Sequence, residues 1–159
     1  MRELLIRADA SASLGTGHVM RSLAFAEAAA EAGIPVRFVL GGDGLAVTWV
    51  NRRSFDAQYR SDPLDRAWLD STTEGSVVLV DGLHFADELY ASVAESPAHL
   101  VVMEDISGIR YADAIVTPRS TGTARGRADV RFRSHLSAGR FANRGPAQTI
   151  SRWQGTISM

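Results

Sequence analysis

"ELLIRADASASLGTGHVMRSLAFAEAAAEAGIPVRFVL", residues 3–40, has the pattern of a complete strand–helix–strand unit. The runs at 3–8 and 35–40 are rich in aliphatic and β-branched residues and bounded by turn signals. Such nearly continuous apolar runs mark strands covered on both faces rather than one wet face. Between them, 18–32 is alanine-rich, with Val19, Leu23, Ala26 and Ala30 at helical spacing and Gly33 as a stop signal.

The unit repeats outward from there. Further strands are expected at 55–60, 76–81, 99–104 and 112–117, with helices at 44–52, 63–73 and 85–95. This alternation predicts an α/β fold with a doubly wound, mostly parallel sheet over residues 1–117, whose ligands bind at the carboxyl ends of the strands. Beyond Thr117-Pro118 the periodicity stops, and residues 118–159 read as an irregular, Arg-rich C-terminal tail. Residues 1–118 carry 9 Arg against 17 acidic groups, a balance of −8, whereas 119–159 carry 8 Arg against Asp129 alone, a balance of +7. Three readings of the tail stand: a docked segment, a disordered extension, or the place where a longer coding sequence was interrupted.

The composition excludes several classes. At 159 residues, 45% hydrophobic and 22% charged, the chain matches one ordinary globular domain. No apolar run approaches the roughly 20 residues of a membrane span, and the charged N-terminus is unlike a signal sequence, so a cytoplasmic location is expected. The chain has no cysteine, and its four histidines (18, 84, 99 and 135) show no ligand spacing, so no metal site is expected. Eight tail arginines without a recognisable nucleic-acid module read as a solvated or self-docked segment rather than a nucleic-acid surface.

The segment after the first strand narrows the chemistry. Gly15-Thr16-Gly17 allows a tight turn and close approach of a ligand, and the helix beginning near His18 offers open N–H groups and a partial positive charge. An anion is the natural guest. A dinucleotide fingerprint would want a third glycine where Met20 stands, and the lysine of a P-loop is missing, so no cofactor is expected. The helix field disfavours a charged imidazole at His18, as a general base requires; a histidine that only bonds the loop is the alternative. Arg21 opposes the helix dipole, so it either holds an anionic ligand or pairs with a carboxylate such as Asp9.

These residues carry a resemblance. "IRADASASLGTGHVMRSLAFAEA" (6–28) closely resembles the opening of the UDP-sugar hydrolases of pseudaminic acid biosynthesis, relatives of GT-B glycosyltransferases that remove UDP from a 2,4-diacetamido-2,4,6-trideoxy-altrose. "SVVLVDG" with Asp81, and "LVVMEDISGIRYADAIV" with Asp105 and Asp113, resemble later strand ends of the same N-terminal domain. The likeness covers roughly residues 2–117. It implies the Rossmann-like half of a GT-B fold and a hydrolase in which His18 positions or activates a water that attacks the anomeric carbon with inversion. Arg7, Asp9, Gly15, Gly17, Arg21, Asp81 and Asp105 are then candidate substrate-binding residues. UDP is a good leaving group, so one base and a set of phosphate donors would suffice.

The chain departs from the pattern in three places. Asp81-Gly82-Leu83-His84 replaces an Asp-His/Ser-Tyr type sequence, so no role transfers to His84; Glu104-Asp105 replaces two adjacent aspartates. The family's C-terminal domain, which holds most of the nucleotide, has no counterpart in residues 118–159. The expected partners are therefore a nucleotide-sugar substrate and a separate nucleotide-binding domain or a second copy. A glycosyltransferase half-domain and a non-catalytic sugar-binding or partner module are the alternatives.

Overall fold

The computed structural model describes residues 2–42, 44–60, 64, 66–70, 75–103, 111–119, 127–132 and 157–158. In chain order these form β1 (Leu4–Ala10), α1 (Gly17–Glu31), β2 (Val36–Gly42), α2 (Leu45–Arg52), β3 (Asp56–Tyr59), α3 (Arg66–Asp70), β4 (Val77–Asp81), α4 (Asp87–Glu95), β5 (His99–Met103), β6 (Ala114–Arg119), β7 (Arg127–Phe132) and β8 (Ile157–Ser158). The strands lie side by side as β3-β2-β1-β4-β5-β6-β7-β8. The first six are all parallel; β7 runs antiparallel to β6, and β8 to β7. This is the doubly wound α/β arrangement expected, with a Rossmann-like order that reverses between β1 and β4.

Alternation along each strand builds two cores. Ile6, Ala8 and Ala10 of β1 pack with Val19, Leu23 and Ala26 of α1 and Ala46 and Val50 of α2. On the opposite face, Leu5, Val78 and Val80 meet Leu69 of α3 and Leu89, Tyr90 and Val93 of α4. The central strands are thus covered on both sides, which is why their sequences read as apolar runs. Small Ala8, Ala10 and Ala26, all within 2% of full burial, let α1 lie close against β1. In the last turn of α1, Ala29 packs against the core and the expected Ala30 is exposed.

Gly33 ends α1 as read from the sequence. Its φ of 77° places it in the left-handed region, its N–H donates to Ala30 O at 2.9 Å, and the Ile34 N–H donates to Ala29 O at 3.0 Å. Together these bonds satisfy carbonyls that the helix end would leave open.

Of the helix expected at 63–73, α3 covers Arg66–Asp70, and residues 63, 65 and 71–73 lie outside the described residues. One expectation changes. No periodicity marks an element beyond Pro118, yet β6 runs through Pro118 to Arg119 and pairs with β7 from Ala114↔Phe132 to Arg119↔Arg127. Pro118 is tolerated because β5 pairs with β6 only as far as Val116, so no parallel register continues at the proline. The part of the 118–159 tail at 127–132 is therefore joined to the sheet, while most of the rest lies outside the described residues. Among the described residues no helix is long and apolar enough to cross a membrane.

Candidate functional site

The carboxyl ends of β1 and β4 adjoin where the strand order reverses. Ala8 sits level with Leu40 of β2 and with Asp81 of β4, and Asp9 is level with Gly41. The two aspartates are thus one residue out of step on neighbouring strands, and alternation sends them to opposite faces of the sheet. Such switch points open the crevices where α/β folds bind ligands.

Asp81 turns toward α1 and is fully buried. His18, Arg21 and Ser22 share one helix face, at i, i+3 and i+4, and all three reach this carboxylate. His18 Nδ1 lies 2.9 Å from Oδ1, Arg21 Nε donates to Oδ2 at 3.0 Å, and the Ser22 hydroxyl donates to Oδ2 at 3.1 Å. A second Arg21 nitrogen, Nη2, also donates to Oδ1. Arg21 Nη2 also lies 3.4 Å from His18 Nδ1, but an ionised carboxylate can only accept, so the shorter contact to Asp81 is a hydrogen bond in the tautomer with its proton on Nδ1, which presents the lone pair of Nε2. The dipole mismatch of Arg21 is offset by Asp81, not by Asp9. Ser22 was missed in the sequence, although its spacing four residues after His18 was the signal.

Asp9 turns to the α4 side. Arg7 Nη1 lies 3.0 Å from its Oδ1, the Gly41 N–H donates to Oδ1 at 2.7 Å, and His84 Nε2 lies 2.9 Å from Oδ2. The Arg7 guanidinium also donates to Val39 O at 3.3 Å and lies 5.2 Å from the centre of the Phe85 ring. Arg7 and Asp9 are only 4% and 7% exposed, so they stand behind the site and act through what they hold. The approach at Gly41 is close: a Cβ there would come within 2.7 Å of Asp9 Oδ1 and 2.9 Å of Arg7 Nη2. Gly41→Ala is therefore expected to push the Asp9 carboxylate off its partners and to cost about 1–3 kcal/mol, read as a lower denaturant midpoint.

The glycine turn joins the end of β1 to the start of α1. Gly15 has φ 74° and donates to Ser11 O at 2.8 Å, and a Cβ at Gly15 or Gly17 would meet nothing within 4 Å. Thr16 caps α1 without a side-chain hydrogen bond, so the first-turn N–H groups have no side-chain acceptor from the cap. His18 and Arg21, with 23% and 25% of their side chains exposed, are thus the accessible members of the cluster, and His18 lies beside an open helix N-terminus. Asp105 lies outside the described residues. Asp113 is placed apart from the site: its carboxylate accepts the Leu100 N–H at 2.8 Å and ties the loop before β6 to β5.

A pocket of about 420 Å³, bounded by Thr16, Met20, Leu23, Trp49, Arg52 and Arg53, opens on the other side of α1. Positions 16, 20 and 23 oppose 18, 21 and 22 around the helix, so this pocket takes no part in the histidine site. Among the described residues no group of three or more His, Asp or Glu side chains is arranged to hold a metal ion.

No protein-family model matches the chain, and no curated protein does. Among solved structures, a chain in the crystal structure of the tetrameric eIF2B-beta2-delta2 complex from C. thermophilum is similar at 8% identity and a TM-score of 0.39, over 74% of this chain. This chain spans 42% of the length of that one. A likeness so slight carries no information about function.

Proposed function

We propose that the chain is the sugar-side α/β unit of a hydrolase acting on a nucleotide-activated amino sugar, with His18 as the base. The observation that carries this reading is the His18–Asp81 pair at 2.9 Å, at the switch-point edge of the sheet and beside the open first turn of α1. Asp81 fixes the ring and its tautomer and would stabilise the imidazolium that forms. Water held by Nε2 loses its proton as its oxygen attacks the anomeric carbon, and the bond from that carbon to the phosphate oxygen breaks with inversion. The helix N-terminus and the turn of Gly15 and Gly17 favour the negative charge of the departing phosphate.

The motif resemblance at 6–28 selects UDP and the diacetamido-altrose among nucleotide sugars. The purified full chain should release UDP from that substrate, and His18→Ala should abolish the release. Equal rates from the two proteins would overturn the assignment, and transfer to an added acceptor in place of water would favour a glycosyltransferase. One observation favours a non-catalytic sugar-binding module: both carboxylates are taken up by internal partners. That reading expects saturable binding of the nucleotide sugar with no UDP released.

A further inference from the structure

The His18–Asp81 pair has a counterpart that the chemistry above leaves unused. β1 and β4 each bring a buried aspartate to the carboxyl edge, each aspartate is clamped by an arginine, and each holds one histidine. Arg7, Asp9 and His84 on one face of the sheet thus mirror Arg21, Asp81 and His18 on the other. The two imidazole rings meet over the strand ends with centres 6.5 Å apart. His84 is further fixed by Phe85, whose ring centre lies 4.1 Å away, yet 29% of its side chain stays exposed.

Stability alone does not account for this arrangement. Burying two charged clusters carries a desolvation cost that apolar residues of similar volume would avoid. What the clusters do provide is orientation. His84 Nε2–H donates to Asp9, so Nδ1 is the nitrogen left for an outside partner, just as Nε2 is at His18. Two accessible imidazoles, each aligned by a carboxylate across a gap of this width, can divide one proton-transfer task between base and acid.

We propose that His84 is a second catalytic residue, the acid that serves the leaving phosphate, with Asp9 and Arg7 as its positioning residues; the proposal rests on the hydrolase reading above. The step balances. The water oxygen bonds to the anomeric carbon as its proton passes to His18 Nε2. The bond from that carbon to the phosphate oxygen breaks with its electron pair on oxygen, and doubly protonated His84 gives its Nδ1 proton to that phosphate. The products are the free sugar and the nucleoside diphosphate. Solvent then takes the proton from His18 and returns one to His84.

The test compares the nucleotide sugar with the glycosyl fluoride of the same sugar, whose leaving group offers no phosphate to His84. His84→Gln should lower turnover of the nucleotide sugar by about a hundredfold or more, the usual scale for a lost general acid. Turnover of the fluoride should change less than about threefold, whereas His18→Gln should lose both. An equal loss on both substrates in His84→Gln, or no loss on either, overturns the proposal. If the wild-type chain turns over neither substrate, the hydrolase reading fails by itself, and a second measurement then decides on His84. The ring signals of His84 and His99 in the wild-type protein are followed by NMR as inorganic diphosphate is added. A saturable shift confined to His84 supports the phosphate contact, and a His84 signal that does not move overturns it.

Discussion

Asp81→Ala is expected to lower the free energy of unfolding by about 3 kcal/mol and to remove UDP release together with it. The carboxylate is fully buried and accepts from His18, Arg21 and Ser22, so its loss strands an arginine, a histidine and a hydroxyl at once. Breaking a buried ion pair by removing one partner costs about 3–5 kcal/mol. The lower end applies here because His18 and Arg21 keep 23% and 25% side-chain exposure and can regain water. Chemical denaturation reads the loss directly. Asp81→Asn, which keeps the volume, should recover part of the stability but little of the activity, since an amide can orient the imidazole in the wrong tautomer. A stability unchanged in Asp81→Ala would mean that the cluster does not organise this edge of the sheet.

His18→Gln is expected to cut UDP release by about a hundredfold to ten-thousandfold, the range that a positioned general base supplies. Stability should change little by comparison, by about 1 kcal/mol, because the lost partner of Asp81 is one of three and sits at the surface end of the cluster. The contrast with Asp81→Ala is the informative part. One substitution should remove chemistry from a folded protein, and the other should remove the scaffold beneath that chemistry. Steady-state kinetics on both proteins, with circular dichroism to confirm folding, separates the two effects.

Much of the fold was legible because burial on both faces leaves a mark on the sequence. The aliphatic runs at 3–8, 35–40 and 76–81 became β1, β2 and β4, and Gly33 ended α1 with a pair of bonds that its position predicted. β7 was not legible: "RADVRF" alternates weakly, is rich in arginine, and is fixed by its pairing with β6 rather than by its own pattern. At the site, the glycine turn and His18 stood out because they are neighbours in the chain. The partners did not, because His18 and Asp81 are 63 residues apart, as His84 and Asp9 are 75 apart. Those contacts exist only through the register that sets Ala8 beside Asp81 and Asp9 beside Gly41. Local spacing alone therefore left open whether Arg21 met Asp9 or another carboxylate, and it gave no task to His84.

In the proposed mechanism, water activated at His18 attacks the anomeric carbon and not the phosphorus. Hydrolysis of the nucleotide sugar by the full chain in ¹⁸O-labelled water, with both products weighed by mass spectrometry before the free sugar exchanges, tests it most directly. The label is predicted on the anomeric hydroxyl of the sugar, with the released UDP unlabelled. Label on the UDP would overturn the proposed mechanism, because the histidine site would then be serving attack at phosphorus.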